Sequence, residues 1–339
     1  MIQINTASEL FSFYDEQVRL NTKQRQEMHD RRDTNRDRLV AGLKKNESPL
    51  PSEHLIQGSY AMWTMVQRPN NDYDIDDGAV FKRDDLKGSQ GADKTPLAAR
   101  KMVCDALQDE RFNKQPEVRS KCVRVFYNEG FHIDVPVYRT YKEDDENEIK
   151  ELAASDWKNS DPDKITNWFK DSVVAKSPDE TNGRQMRRLV CLIKKWACSR
   201  DSWNLPCGLV LSTLVDEKYC SALNRDDESF VSTLKSVRDR LVTNKIVYNP
   251  VDNNEKFSDG REHQIQNLYD KLDTWLPVLE VLEEKDCTKN KAMNAWNSFF
   301  HTDYFDKFKD KDTGGKSGGF LAAGSEAGRV KKGGQEGFA

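Results

Sequence analysis

Apolar positions near the start of the chain recur at helical spacing. Leu10, Phe11, Tyr14, Val18 and Leu20 form a broken stripe behind Ser8, a residue able to cap, and predict a helix over 8–45. Its later part carries Arg25, Arg31, Arg32, Arg36 and Arg38, as on a long, partly exposed helix, and Leu50-Pro51 ends it. The period then changes. His54-Leu55-Ile56 predicts a short strand running into Gly58-Ser59, and Tyr73, Ile75 and Val80-Phe81 predict a second strand with acids at alternate positions. A helix is expected over 92–110. Cys122–Tyr127 and Phe131–Tyr138 read as two strands joined by a turn at Asn128-Glu129-Gly130. The acidic stretch 142–151 reads as a surface loop. After Pro178 the pattern is mainly helical, over 183–200, 209–220, 228–243, 261–285 and 289–301.

This order of elements predicts an α+β fold with a helical C-terminal lobe. Four segments are expected: a long N-terminal helix bridging the lobes (1–50), a sheet-bearing core (51–177), a helical lobe (178–310) and a tail (311–339). The tail should be disordered, since 314–339 holds nine of the chain's eighteen glycines and little apolar content.

Composition narrows the class. The 53 basic and 57 acidic residues leave a net charge of −4, which disfavours a globally cationic nucleic-acid coat but allows a local basic groove. No apolar run approaches the ~20 residues of a membrane span. The start, Met-Ile-Gln-Ile-Asn, lacks a basic segment followed by an apolar one, so secretion is disfavoured. The seven cysteines form no CxxC pair and are odd in number, which argues against a disulfide framework or a structural zinc site and for a reducing cytoplasm.

The strongest chemical signal is a set of acids. Asp74 and Asp76, two apart on a strand, share a face, with Ile75 anchored on the other. Asp134 lies in the apolar strand His132-Ile133-Asp134-Val135. If the strands are neighbours, three carboxylates meet, and they repel unless cations neutralise them. Mg²⁺ prefers oxygen ligands and shares its shell with phosphates. Two such ions, roughly 3.5–4 Å apart, can clamp the attacking and leaving oxygens of a phosphoryl displacement. Gly58-Ser59 supplies a close backbone approach and donors for phosphate oxygens. Neither the Gly-Ser pair nor a lone Asp-x-Asp is informative alone; the conjunction is.

Gln57-Gly58-Ser59-Tyr60, Asp72-Tyr73-Asp74-Ile75-Asp76-Asp77-Gly78 and His132-Ile133-Asp134-Val135-Pro136 resemble the DNA polymerase-β-type nucleotidyltransferase superfamily. More narrowly they resemble bacterial cGAS/DncV-like nucleotidyltransferases (CD-NTases), which make cyclic oligonucleotide signals in CBASS anti-phage defence. Asn182 through Trp196 resembles the family's helix beside the donor nucleotide, and Asn249-Pro250-Val251-Asp252 a segment near its nucleobase pocket. The resemblance spans roughly 8–305 and implies a polymerase-β-type nucleotidyltransferase core, a mixed twisted sheet, that meets the helical C-terminal lobe across a cleft. It implies Asp74 and Asp76 on both of two Mg²⁺ ions, with Mn²⁺ able to substitute. Asp134 is implied on the ion that activates the incoming hydroxyl. Gln57, Ser59 and the Gly58 amide are implied on the donor triphosphate, with Lys194, or else Lys195, near the phosphates. A departure is Cys207-Gly208, where relatives often carry serine; Ser212 then reads as a helix residue.

The implied reaction is attack of a ribose hydroxyl on the α-phosphate of an NTP, repeated to close a ring. Alternatives are a linear template-independent polymerase, a nucleotidyltransferase acting on RNA or protein, and a nucleotide-binding module conjugated through its tail. His132 reads as structural or as a ligand, Tyr248 as packing or base-stacking, Asp77 as solvated or supporting, and Trp196 as core. Direct activation by double-stranded nucleic acid is disfavoured by the net charge and the absence of a clustered Cys/His set. The expected partners are NTPs, an E1/E2-like conjugating protein acting on Ala339, and an effector reached through the cyclic product. No membrane partner is expected.

Overall fold

A computed structural model describes residues 2–68, 73–88, 90–127, 130–144 and 148–310. Asp72, the turn residues Asn128 and Glu129, and the segment 311–339 with Ala339 lie outside the described residues.

The helix expected over 8–45 is two helices. α1 (Ala7–Phe13) runs into a π-helical turn (Tyr14–Val18), Arg19 is extended, and α2 (Thr22–Lys45) begins afresh. Asn21 and Gln24 start it with a reciprocal capping box: Gln24 N–H donates to Asn21 Oδ1 at 2.8 Å and Asn21 N–H to Gln24 Oε1 at 3.0 Å. Such a cap is worth ~1 kcal/mol. Packing explains the position of the break. Leu10, Phe13 and Val18 belong to a core among helices, whereas Leu20, Met28, Leu39 and Leu43 belong to a second core beneath the sheet.

β1 (Glu53–Gln57) leads directly into the short α3 (Gly58–Ala61), and β2 (Asp74–Lys82) follows. α4 (Pro96–Ala106) is shorter than the expected 92–110 because Thr95 caps it, accepting from Ala98 N–H, and Pro96 occupies its first turn. β3 (Glu117–Val118) and β4 (Val123–Phe126) precede β5 (His132–Val135) and β6 (Val137–Lys142). The strand expected over 131–138 is thus divided at Pro136, yet it keeps one register along β2: Asp76 faces Asp134 and Ala79 faces Val137, both parallel. Pro136 has no N–H to offer, but its carbonyl still accepts from Ala79 N–H at 2.9 Å. At Pro136 the outer neighbour changes: β4 pairs with β5, and β7 (Glu148–Ala153) with β6, both antiparallel. β8 (Trp157–Asn159) pairs with β7, and β1 lies antiparallel on the other edge of β2.

The stretch 142–151 is therefore not all loop: Lys142 belongs to β6 and Glu148–Glu151 to β7. Where these strands pair, cross-strand polar pairs replace apolar ones: Thr140 Oγ1 donates to Glu148 at 2.9 Å and Arg139 Nε to Glu151 at 2.5 Å.

α5 (Pro162–Lys176) was not expected from the pattern; Asp161 caps it and Phe169 and Val173 enter the helical core. α6 (Gln185–Ala197), α7 (Gly208–Lys218) and α8 (Asp226–Thr243) follow. Then come a hairpin of β9 (Tyr248–Asn249) and β10 (Asp252–Lys256), α9 (Glu262–Trp275) and α10 (Lys289–Phe300). The helix expected over 261–285 becomes 3₁₀ from Leu276, next to Pro277. Trp196 is fully buried in this core, stacked on Phe299 with 5.3 Å between centroids. No helix among the described residues is long and apolar enough to cross a membrane.

Candidate active site

The sheet register aligns four side chains in one row. Gln57 on β1 faces Asp76 on β2, Asp76 faces Asp134 on β5, and Asp134 faces Arg124 on β4. Residues directly opposite share a face, and neighbouring strands lie ~4.8 Å apart, so the row presents an amide, two acids and a guanidinium side by side. Asp74, two residues before Asp76, adds a third acid to the same face, opposite His132. Ile75 on the reverse face is fully buried. Strand alternation and the parallel pairing of β2 with β5 therefore put Asp74, Asp76 and Asp134 on one face of the sheet.

Their electrostatics differ. Asp76 is pushed up to about 7, first by burial and then by the charges of Asp74 and Asp134. Asp134 is relieved locally, since Arg124 donates to both of its oxygens at 2.7 Å. Among the described residues no three His, Cys, Asp or Glu side chains are drawn together tightly enough to hold an ion. The donor chemistry nevertheless fits a hard divalent cation. The candidate donors are all carboxylate oxygens, and at Asp76 their mutual repulsion is what added positive charge would relieve.

The Gly58-Ser59 turn closes over this row. Gly58 has φ +63°, and a Cβ there would lie 2.2 Å from Asp76 Oδ2. Glycine is thus required both for the left-handed backbone and for the approach to the acid. Gln57, immediately before, accepts at Oε1 from the Tyr138 hydroxyl at 2.9 Å.

Comparison with known proteins agrees with this geometry. Residues 52–138, which contain the whole row and the Gly-Ser turn, match the family model for the nucleotidyltransferase domain of DncV-like cyclic GMP-AMP synthases. Over this span the chain is similar to a DncV-like nucleotidyltransferase domain. A protein of Escherichia albertii named cyclic GMP-AMP synthase is 27% identical over 213 residues, covering 60% of this chain. The match spans about half the length of that curated relative, 45% of it. Vibrio cholerae DncV in complex with the linear intermediate 5′ pppA(3′,5′)pG superposes with a TM-score of 0.68 at 16% identity, covering 88% of this chain and 96% of the other. Escherichia coli DncV with bound 3′-deoxy GTP gives 0.65 at 16% identity, covering 84% and 92%. The shared fold is the expected α+β one, a mixed sheet with a helical lobe.

Around the acids, α6 supplies the expected lysines. Lys194 is buried and donates to the Thr64 carbonyl at 2.6 Å. Burial pulls its ammonium below the ordinary lysine value, and Asp74 acts in the opposite sense. A Cβ on Gly208 would sit 2.7 Å from Lys194 Cε, so the glycine in the departure from the family pattern gives this lysine its room. Lys195 instead donates to the Gln67 carbonyl at 3.0 Å. Ser212 donates back to the Gly208 carbonyl at 2.8 Å, as a helix residue does. Tyr248 is partly exposed on β9.

Three partners escaped the sequence reading. Arg124 on Asp134 was implicit in the predicted hairpin, since a turn centred on residue 129 sets 124 against 134. Arg36, on α2, grips Asp77 from behind the sheet, with Nε donating at 2.7 Å; Asp77 is buried and paired, not solvated. Tyr138 behind Gln57 had no local signal, because it reaches across a strand.

Proposed function

We propose that this chain is a cyclic oligonucleotide synthase, joining NTPs into a cyclic di- or trinucleotide with release of pyrophosphate. The observation that carries the reading is the row Gln57–Asp76–Asp134–Arg124 with the Gly58 turn seated on Asp76. Asp74 and Asp76 would hold Mg²⁺, with Mn²⁺ as a substitute, and Asp134 would complete the ligand set. When bound, these ions neutralise phosphate charge and lower the barrier to losing the hydroxyl proton. The chain's own part is positioning. The Gly58 amide, Ser59 and Gln57 hold the donor triphosphate, and Lys194 adds positive charge near it. The acids fix where the attacking hydroxyl meets the α-phosphorus, in line with the departing pyrophosphate. Two successive transfers are supported by the linear intermediate captured in the Vibrio cholerae protein. Signalling to an effector in anti-phage defence is part of the same proposal.

The test is incubation of the purified protein with all four NTPs and Mg²⁺, with Asp74→Ala/Asp76→Ala as control, followed by phosphatase and mass analysis. A phosphatase-resistant cyclic mass absent from the control is expected. Phosphatase-sensitive linear chains would replace the proposal with a polymerase. Asp76→Asn should lower turnover by about 10³-fold or more, since a bound ion stabilises several kcal/mol of transition-state charge and each ~1.4 kcal/mol is tenfold. Conjugation at Ala339 is likewise a proposal, supported by the glycine-rich sequence of 314–339. Deleting Gly337–Ala339 should abolish a partner-dependent adduct and spare basal synthesis; an unchanged adduct on a gel would overturn it.

A further inference from the structure

Gln57 sits at the end of β1 with a side chain that could offer an anion either its N–H donors or its carbonyl oxygen. Only the donor end helps, since an amide oxygen facing a phosphate oxygen repels it. The structure contains a device that settles this choice. Tyr138 is fully buried on β6, and β2 lies between β6 and β1. Its ring crosses β2 and its hydroxyl donates to Gln57 Oε1 at 2.9 Å. With Oε1 engaged, the carboxamide has its Nε2 left, and among the described residues Nε2 meets no protein acceptor.

The crossing is possible because residue 78 is glycine. Gly78 lies on the same face as Asp74 and Asp76, between Tyr138 and Gln57. A Cβ there would be 2.9 Å from Tyr138 Cε2, 3.2 Å from Cδ2 and 3.5 Å from Gln57 Oε1. Its backbone is not in the left-handed region, so the glycine serves space and not conformation.

We propose that Tyr138 is a positioning residue that turns the Gln57 carboxamide donor-outward and thereby sets the affinity for the donor nucleotide, with Gly78 as the gap its ring passes through. The inference rests on the proposed nucleotide role of Gln57. Gln57 and Tyr138 act as one unit, so their effects should not add.

The experiment measures binding of α,β-methylene-ATP and α,β-methylene-GTP, with Mg²⁺, to the full chain and to Gln57→Leu, Tyr138→Phe, the double variant and Gly78→Ala. Gln57→Leu should weaken binding about tenfold, the loss of one hydrogen bond to a charged group. Tyr138→Phe should weaken it about threefold to tenfold alone and by less than twofold in the Gln57→Leu background. Gly78→Ala should follow Tyr138→Phe although the phenol is retained. In turnover, KM should rise more than kcat falls, the signature of lost ground-state binding. If Gln57→Leu weakens binding and Tyr138→Phe does not, the positioning role is overturned and the nucleotide role of Gln57 stands. Equal losses from Tyr138→Phe with and without Gln57 would also overturn it, as a packing effect. If Gln57→Leu changes nothing, the nucleotide contact itself fails and the positioning role with it. Catalysis surviving that result would leave the acids' assignment in place.

Discussion

Arg124 closes on both oxygens of Asp134, at 2.7 Å to each, from the directly opposite position on the neighbouring strand. While that fork is in place, both Asp134 oxygens are engaged by a fixed cation. Uptake of a divalent ion at the acids therefore competes with Arg124. Arg124→Gln should raise the Mn²⁺ affinity of the nucleotide-free protein about threefold to tenfold, the order of ~1 kcal/mol for a partly exposed pair. Asp134→Asn should lower it. Electron paramagnetic resonance titration of free Mn²⁺ reads both, and an unchanged affinity in Arg124→Gln would show that the two cations do not compete.

Asp76 gives the ion-free protein a pH dependence of definite sign. Its carboxyl is raised from 3.8 to about 7 in the folded chain. Between those values the folded state keeps a proton that the unfolded state has released. The contribution of this group to stability therefore falls as pH rises through that window and is level above it. Asp76→Asn removes the effect. In EDTA its Tm should exceed the parent's at pH 8 and converge with it near pH 4. Excess Mg²⁺ at pH 8 should reverse the order, since the ion stabilises the ionised parent. Parallel Tm curves for the two proteins across this range would contradict the raised carboxyl.

Gly58→Ala combines two penalties at one atom. The added Cβ must occupy a left-handed backbone at φ +63° and lie 2.2 Å from Asp76 Oδ2. The backbone cost is ~1–3 kcal/mol, and the displaced acid should take turnover with it. Urea unfolding reads the first and NTP turnover the second. A fully active Gly58→Ala would mean that the turn need not press on Asp76.

That Asp74 and Asp76 share a face was legible because strand alternation is local; that Asp134 lies beside them was only conditional, since it depends on the non-local parallel pairing of β2 with β5. Gly58 was legible as a close approach, though not its target. The acidic stretch 142–151 misled in part because composition was read as exposure; where β6 meets β7, Arg139 with Glu151 and Thr140 with Glu148 do the pairing that apolar residues do elsewhere. The break at Arg19 was hidden by a helical period on both sides, although Asn21 and Gln24 carried a capping signal. α5 was missed although Asp161-Pro162 announces a helix start and Thr166, Phe169 and Val173 have helical spacing. Tyr138 and Arg36 lay beyond reach, since each acts across elements whose adjacency no local pattern specifies.

Arg36 and Asp77 give the sheet its anchor behind the acids. Asp77 follows Asp76 on β2 and faces the opposite side, where it is buried and held by the α2 guanidinium through two contacts. Removing one partner of such a pair leaves a charge with little solvent and no counter-ion. That costs ~3–5 kcal/mol, whereas removing both charges costs far less. Arg36→Met should therefore destabilise by that order in urea unfolding, and Arg36→Met/Asp77→Asn should recover most of the loss. The double variant also separates stability from placement. If the pair merely stabilises the fold, recovered stability should bring recovered turnover. If it also fixes the pleat of β2 at Asp76, turnover and Mn²⁺ affinity should remain below the parent's in the restabilised protein. We expect the second outcome, because Asp77 is bonded to the peptide that carries Asp76, and release of one side chain loosens the other.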